Sequence, residues 1–385
     1  MKSATNRILF VIGSFGVGGA ETQLSILSAE LVRRGWEVHL FSLENHGPLR
    51  EIFDGAGVRI HVGGYDSLAP RSKKVISLLR AQWRLFRLSY ELRPRVLHAF
   101  LPLTNFMGAL AGRMAGIGTI VTSRRALGTH QDRHRWWTLF DRVANRYSTL
   151  ITANSQAVIV DTVQRDHVNP AKMRLIYNGL NLQAAQNVAE DRKVIRQGFG
   201  LKSDDVALVF VANLIEYKGH RELIDAFSRI HSTHPFVHLF LIGEDRGIGR
   251  SLREFAESLG VAPWVNFLGR RSDVKKLLAA MDLGVMASHE EGFSNALLEK
   301  LAAGLPVLAT DVGGNPEALA GVPDCMMVSA RSPDDMAHGL LTMISKLDDS
   351  RIHGDQRSMM IRNRYSIESM VEKHVMLYDE VQKGD

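Results

Sequence analysis

Ser288-His289-Glu290-Glu291-Gly292-Phe293-Ser294-Asn295-Ala296-Leu297-Leu298-Glu299 lies between an apolar run and an amphipathic one. Asp282 to Ala287 is short and apolar and reads as a buried strand. After Ser294, apolar residues recur at 297, 298, 301 and 302, a helical spacing that stops at Gly304. Ser294 suits an N-cap and Gly304 the position just past a helix C-terminus. Glu291 is therefore expected in the loop above a strand, and Glu299 inside the following helix, about 12 Å further along its axis. Amides near Asn295 to Leu297, aided by the helix dipole, would form an anion site between the two carboxylates. A ligand with phosphate in its middle and hydroxyls at both ends, such as a nucleotide sugar, fits that pattern.

The frame around this stretch is wider than one motif. Ala302-Ala303-Gly304-Leu305-Pro306-Val307-Leu308-Ala309-Thr310 follows, then Val312-Gly313-Gly314-Asn315-Pro316-Glu317. Over roughly thirty positions, from strand to helix to next strand, the segment resembles the donor-site motif of the retaining GT-B glycosyltransferases, in glycosyltransferase family 4. The resemblance implies two Rossmann-like domains facing each other across a cleft. It implies transfer of a sugar from a nucleotide sugar, UDP- or GDP-linked, to a hydroxyl acceptor with retention of configuration. A sugar or lipid-linked acceptor, in synthesis of bacterial cell-envelope glycan or glycolipid, follows as an expectation. Glu291 would hold sugar hydroxyls and Glu299 ribose hydroxyls, with Gly292, Phe293, Ser294 and Asn295 lining the donor.

Composition sets broad bounds. The 385 residues suit two domains, and 45% hydrophobic with 23% charged residues is ordinary for a globular chain. No apolar run reaches eighteen residues, and the start lacks the pattern of a signal peptide, so a cytoplasmic protein is expected. The single cysteine, Cys325, excludes an internal disulfide and a cysteine-based zinc site. The net charge of +6 favours anionic partners. No nucleic-acid-binding motif is present, so no nucleic acid is expected.

Strands and helices alternate along the chain. Arg7 to Ile12 reads as a strand, running into Gly13-Ser14-Phe15-Gly16-Val17-Gly18-Gly19-Ala20-Glu21 and an amphipathic helix. Glu21 stands where a dinucleotide fingerprint needs glycine, so a nicotinamide cofactor is disfavoured. The loop is either a tight turn or, as the resemblance implies, a place where Gly16, Gly18 and Gly19 let backbone approach donor phosphate and acceptor. Further strands are expected near 37–42, 57–62, 95–100, 119–123, 150–153 and 173–177, with a long basic helix from Lys73 to Leu92. Asn178-Gly179-Leu180-Asn181 reads as a turn, followed by a polar linker to about Ser203. A second series of strands begins at Val206. The expected division is 1–185 on the acceptor side, 186–365 on the donor side, and a terminal helix, 366–385, which by resemblance crosses back to the first domain.

Other residues enter through the resemblance. Lys218, in Glu216-Tyr217-Lys218-Gly219, takes the position of the lysine that neutralises a departing diphosphate; alone it is an ordinary loop lysine. Asn213 stands where the family usually has arginine, leaving the two-cation clamp short of a charge. Gly243 and Arg270, each at a strand end, would line the nucleotide, although Arg270 equally suits water. Arg124 is expected at acceptor or phosphate, and His98 is either part of that site or a structural histidine. No Asp-x-Asp occurs, so no metal is expected. Arg133-His134-Arg135-Trp136-Trp137 and the segment Arg80 to Arg87 with Trp83 are open to two readings, an anionic membrane surface at the inner face or a core with a solvated rim. Two other functions are compatible with the sequence: a GT-B epimerase or phosphorylase, and a non-catalytic sugar-nucleotide-binding subunit.

Overall fold

A computed structural model of the chain describes residues 6–133, 135–180 and 188–380. The chain divides into two compact units, residues 1–179 with 367–385, and residues 180–366. The break falls between Gly179 and Leu180, a few residues before 185.

The first unit is built on a seven-stranded parallel sheet in the order β3-β2-β1-β4-β5-β6-β7. Its strands are β1 (Arg7–Ile12), β2 (Glu37–Ser42), β3 (Arg59–Val62), β4 (Val96–Phe100), β5 (Thr119–Arg124), β6 (Leu150–Ala153) and β7 (Met173–Leu175). β1 shows why these runs are continuously apolar: both of its faces are buried. Ile8, Phe10 and Ile12 join one core cluster, and Leu9 and Val11 another. The first cluster takes Leu24, Leu27 and Leu31 from helix α1 (Gly19–Arg33). The second takes Ala81 and Leu85 from α2 (Arg71–Leu92), and α3 (Arg135–Tyr147) contributes Ala144 to it.

The C-terminal helix, Ile367–Glu380, belongs to this first unit. Met370, Val371, Leu377 and Tyr378 join the cluster that holds α1. Tyr378 packs against Trp36 at 5.8 Å between ring centroids, and its hydroxyl bonds His98 Nδ1 at 2.8 Å.

The second unit carries a six-stranded parallel sheet, β10-β9-β8-β11-β12-β13. These strands are β8 (Val206–Val211), β9 (Val237–Ile242), β10 (Val265–Gly269), β11 (Leu283–Met286), β12 (Val307–Thr310) and β13 (Met326–Val328). Helix α4 is Asn295–Ala302. The stretch to about Ser203 is not simply a linker: Val188–Gly198 is helical. Arg196 of that helix is clasped by the Asp282 carboxylate at 2.9 Å and the Asp205 carbonyl at 2.6 Å, while Ile195 packs on the core. A helix with one narrow apolar face reads as polar in sequence, and so escaped the alternation pattern.

Both sheets are doubly wound. The strand order reverses between β1 and β4 in the first unit and between β8 and β11 in the second. In such sheets ligands bind outside the carboxyl ends of the strands at that reversal. The loops after β8 and β11 carry Asn213, Lys218 and Glu291. The loops after β1 and β4 carry the glycine-rich turn and Leu101. Leu101 has φ 77° and ψ 154°, a conformation open in practice only to glycine, directly before Pro102 begins a helix.

Candidate active site

In the second unit the loop after β11 is braced from three sides. Ser294 caps α4, its hydroxyl accepting from the Leu297 amide at 3.3 Å. At the far end Gly304 adopts φ +82°, and the Gly304 and Leu305 amides close back on Leu301 and Lys300 carbonyls. Thr310 Oγ1 donates to the Ser288 carbonyl at 2.6 Å. Asn315, fully buried, donates to the Thr310 carbonyl at 3.0 Å. The Gly314 amide donates to the Gly292 carbonyl at 3.1 Å. Gly313, at φ +51°, sits so close that a Cβ there would lie 1.7 Å from the Glu291 carbonyl oxygen. The Val312-Gly313-Gly314-Asn315 run is thus the back wall that fixes the loop.

The loop after β8 closes on the same place. The His289 amide donates to the Tyr217 carbonyl at 2.7 Å, and a Cβ on Gly219 would meet the Ala287 carbonyl at 2.0 Å. This brings Lys218 Nζ to 2.6 Å from Glu291 Oε1. Ser288 Oγ donates to the same carboxylate oxygen at 2.7 Å. Burial works against the charge on Lys218, but the Glu291 carboxylate, with Tyr217 and Glu290, outweighs it and holds the ammonium above its ordinary range.

The other residues expected to line a donor have these surroundings. Asn213 Oδ1 accepts from the Glu244 amide at 3.1 Å, so this side chain ties down the loop after β9. Gly243 lies where a Cβ would be 1.9 Å from the Ala212 carbonyl oxygen, and its own amide donates to Gly269 at 2.9 Å. Arg270, beyond β10, is exposed. Phe293 is buried and meets Tyr365 edge-on at 5.3 Å. Glu299 is half-buried on α4, and burial raises its pKa against the pull of Lys300 and Lys275. The anion site expected at three amides is narrower than that, because the Leu297 amide is taken by the Ser294 cap.

Two residues expected on the acceptor side, Arg124 and His98, have partners within the fold. Arg124 is committed to side chains of its own unit. It is buried, with Nη1 on Asp141 at 2.5 Å and Nη2 on Asn145 at 2.9 Å and Asp166 at 3.2 Å. His98 is a structural residue: fully buried, it bonds Tyr378 and Ser123, both at 2.8 Å, and stacks on Phe100 at 4.4 Å. Burial, with His374 and Arg125 nearby, holds it neutral, well below the usual histidine range. Gly18 caps α1 without a side chain, where a Cβ would lie 2.3 Å from the Glu21 carboxylate. Gly16 donates to Ser14 Oγ at 3.3 Å, and Gly19 opens the helix.

Three functional candidates went unread in the sequence. Arg125 follows Arg124 but donates to Asn178 Oδ1 at 2.6 Å; burial lowers its pKa to about 10 and Glu21 pulls it back. Burial likewise raises Glu21. Glu21, Arg125 and Asn178 make a charged, desolvated group beside the glycine-rich turn. The third is Lys300, fully buried on α4. Its spacing three residues after Leu297 and one before Leu301 is the signal that placed it on the inner face.

Known proteins resemble this chain over most of its length. Residues 17–184 match the family model described as Glycosyltransferase Family 4, and residues 205–346 the one described as Glycosyl transferases group 1. An uncharacterized glycosyltransferase of Methanocaldococcus jannaschii is 25% identical over 379 residues, 94% of each chain. N-acetyl-alpha-D-glucosaminyl L-malate synthase of Bacillus anthracis is 24% identical over 239 residues, 62% of this chain and 61% of that one. The lipopolysaccharide glucosyltransferase WaaG of Escherichia coli is 29% identical over 187 residues, covering 47% and 50%. Among solved structures, Anabaena HepE in complex with UDP-glucose superposes with TM-score 0.84 at 21% identity, over 97% of this chain and 99% of that one. On these matches, and on its two doubly wound domains, the chain belongs to the group 1 glycosyltransferases of family 4, with the GT-B fold.

Proposed function

We propose that this glycosyltransferase moves a sugar from a UDP- or GDP-sugar to a hydroxyl of a sugar or lipid-linked acceptor, with retention of configuration and without a metal ion. The observation that carries the reading is the Lys218–Glu291 pair, 2.6 Å apart at the strand reversal of the second unit and beside the capped start of α4. Each partner keeps the other from being a buried, unpaired charge. An arriving diphosphate competes for Lys218 and releases Glu291 to accept from sugar hydroxyls. The ammonium then balances charge that grows on the leaving diphosphate, together with the helix dipole of α4. That assignment leaves no role for which a metal is required, and the chain has no Asp-x-Asp. In a same-face attack the acceptor hydroxyl gives its proton to an oxygen of the departing diphosphate.

The choice of donor is supported by HepE, whose structures include UDP and UDP-glucose complexes. A role in cell-envelope glycan or glycolipid synthesis is supported by the likeness to WaaG. The inner face of an anionic membrane is a fitting place to work. Trp136 is 72% exposed and Trp83 59%, and Val75, Ile76 and Leu79 are exposed along the basic helix α2. Arg133 and Arg135 of the same proposed patch have side chains outside the described residues, as does His134 entirely. Among the described residues no helix is long and apolar enough to cross a membrane.

The test is a thermal-shift screen of UDP- and GDP-sugars, followed by transfer assays with and without a chelator and by determination of the product anomer. A stabilising donor, chelator-resistant turnover and an unchanged anomeric configuration are expected. Inversion, or rescue of a chelated enzyme by Mg²⁺ or Mn²⁺, would refute the mechanism.

A further inference from the structure

Lys300 is an amine with no solvent exposure in the middle of α4. Its Nζ lies 3.0 Å from the Met286 sulfur and 3.3 Å from the Ala296 carbonyl. Neither partner is a carboxylate, so among the described residues none neutralises an ammonium here by direct contact. The surroundings are nonetheless shaped for the chain. Gly284 on β11 has no Cβ where one would fall 2.6 Å from Lys300 Cδ, and Phe210 on β8 presents its ring at 5.9 Å from Nζ. The amine is therefore admitted between α4 and the two strands whose loops carry Lys218 and Glu291.

The charges that reach it define its setting. Glu299 on its own helix and Glu291 on the β11 loop favour the ammonium, whereas Lys218 on the β8 loop opposes it. The segments Asn315–Leu319 and Gly354–Arg364, which also pack on α4, carry Glu317 and Arg357. Arg357 is engaged with the Gly304 carbonyl at 2.9 Å and Asp324 at 2.7 Å, at the other end of the helix. Burial dominates, and with Glu299, Glu291 and Lys218 it leaves the amine at about 7.

We propose that Lys300 is a positioning residue of the donor site, an amine sealed under the start of α4 that takes up a proton from solvent when an anionic nucleotide binds. The inference rests on the reading of this loop as the donor site. A diphosphate beside Lys218 and the α4 N-terminus adds negative charge within reach of the buried amine, and the ammonium is the state that answers it. Asn213, on the same β8 loop as Lys218, is uncharged and already bound to the Glu244 amide. Lys300 supplies positive charge to the same site from within the core, without touching the substrate.

Calorimetry with UDP and with GDP, in buffers of different ionisation enthalpy, reads this directly in the unmodified protein. For an amine at about 7 that is held protonated in the complex, uptake is about 0.9 proton per nucleotide at pH 8 and about 0.1 at pH 6. Affinity then weakens about fivefold from pH 7 to pH 8. Lys300→Met keeps length and apolar bulk and removes the amine, and it is expected to bind nucleotide more weakly with no uptake at pH 8. Failure of both nucleotides to bind the unmodified protein would overturn the donor-site reading and this proposal with it. Binding without proton uptake at pH 8, or uptake that survives in folded Lys300→Met, would overturn the proposal and leave the donor site standing. Should the variant not fold, uptake by the unmodified protein still decides: below about 0.3 proton at pH 8 refutes it.

Discussion

Replacing Lys300 by methionine is expected to make the second unit more stable at neutral pH, and the gain is expected to shrink as pH rises. The amine falls from 10.5 in the open chain to about 7 in the fold because it is buried. The sign follows from which state holds the proton. Between those two values the unfolded chain binds more protons than the folded one, so stability rises with pH across that window. Above 10.5 the amine is neutral in both states and costs nothing; below about 7 the full penalty is present. At about 1.4 kcal/mol for each tenfold change, the fall from 10.5 to about 7 corresponds to about 5 kcal/mol. The bond to the Ala296 carbonyl and the contact with Met286 offset about 1 kcal/mol. A net gain of about 4 kcal/mol near pH 6 is therefore expected, or roughly 8–16 °C in the melting of a domain of this size. By pH 9.5 the difference should have narrowed by about 3 kcal/mol. Scanning calorimetry of both proteins across pH 6 to 9.5 measures the difference, and common titrations cancel in it. A variant that is less stable at pH 6, or a difference that does not change with pH, would refute the reasoning.

Five other outcomes are expected. Glu291→Gln should lose most transfer yet keep nucleotide affinity, since its carboxylate serves the breaking glycosidic bond; a loss of roughly thirty- to a thousand-fold in rate at saturating donor is expected, and the reverse pattern would exchange the roles of the two glutamates. Glu299→Ala should weaken free nucleotide by about ten- to a hundred-fold in calorimetry with an unchanged circular dichroism spectrum, and unchanged affinity would remove it from the site. Gly313→Ala places a methyl group 1.7 Å from the Glu291 carbonyl at φ +51°, so it should cost more than tenfold in transfer; Gly116→Ala, at φ +73° with open space around it, should cost only about 1 kcal/mol of stability and no activity. Flotation with anionic liposomes should succeed at low salt and fail at high salt, each basic residue contributing about 1 kcal/mol; equal binding to neutral vesicles would leave the exposed tryptophans without that role.

The frame of the molecule was open to sequence reading because parallel strands buried on both faces are short, continuous apolar runs. β1, β2 and β6 have the limits their composition implies, and the capped helix after Ser294 begins and ends where Ser294 and Gly304 place it. Partner choice was not open in the same way. Arg124 and Arg125 are adjacent and alike, yet alternation along an extended chain sends them to different neighbours. Arg124 is claimed by Asp141 and Asp166, which lie 17 and 42 residues further on. Arg125 is left to Asn178, with the charge of Glu21 in reach. No local pattern ranks the two; only the packing of distant helices does.

Lys300 carries the same lesson into energetics. A lysine one residue after a glutamate in a helix reads as a solvated charge, and helix propensity gives no reason to think otherwise. What moves it inward is a register: Leu297, Lys300 and Leu301 share the buried face, and the glycine at 284 on the facing strand leaves room for the methylenes. A methionine or leucine would fill that space at no electrostatic cost. Retaining an amine there means accepting a weaker second domain at neutral pH. The arrangement makes physical sense if the cost is recovered when negative charge arrives at the start of α4, and the two measurements on Lys300 test that trade from opposite sides. The stability of Lys300→Met reports what the amine costs in the ligand-free protein, and proton uptake on nucleotide binding reports what it returns. A stabilised variant that binds nucleotide as tightly as the unmodified protein would mean that the cost is met with no return, and Lys300 would then have no part in the donor site.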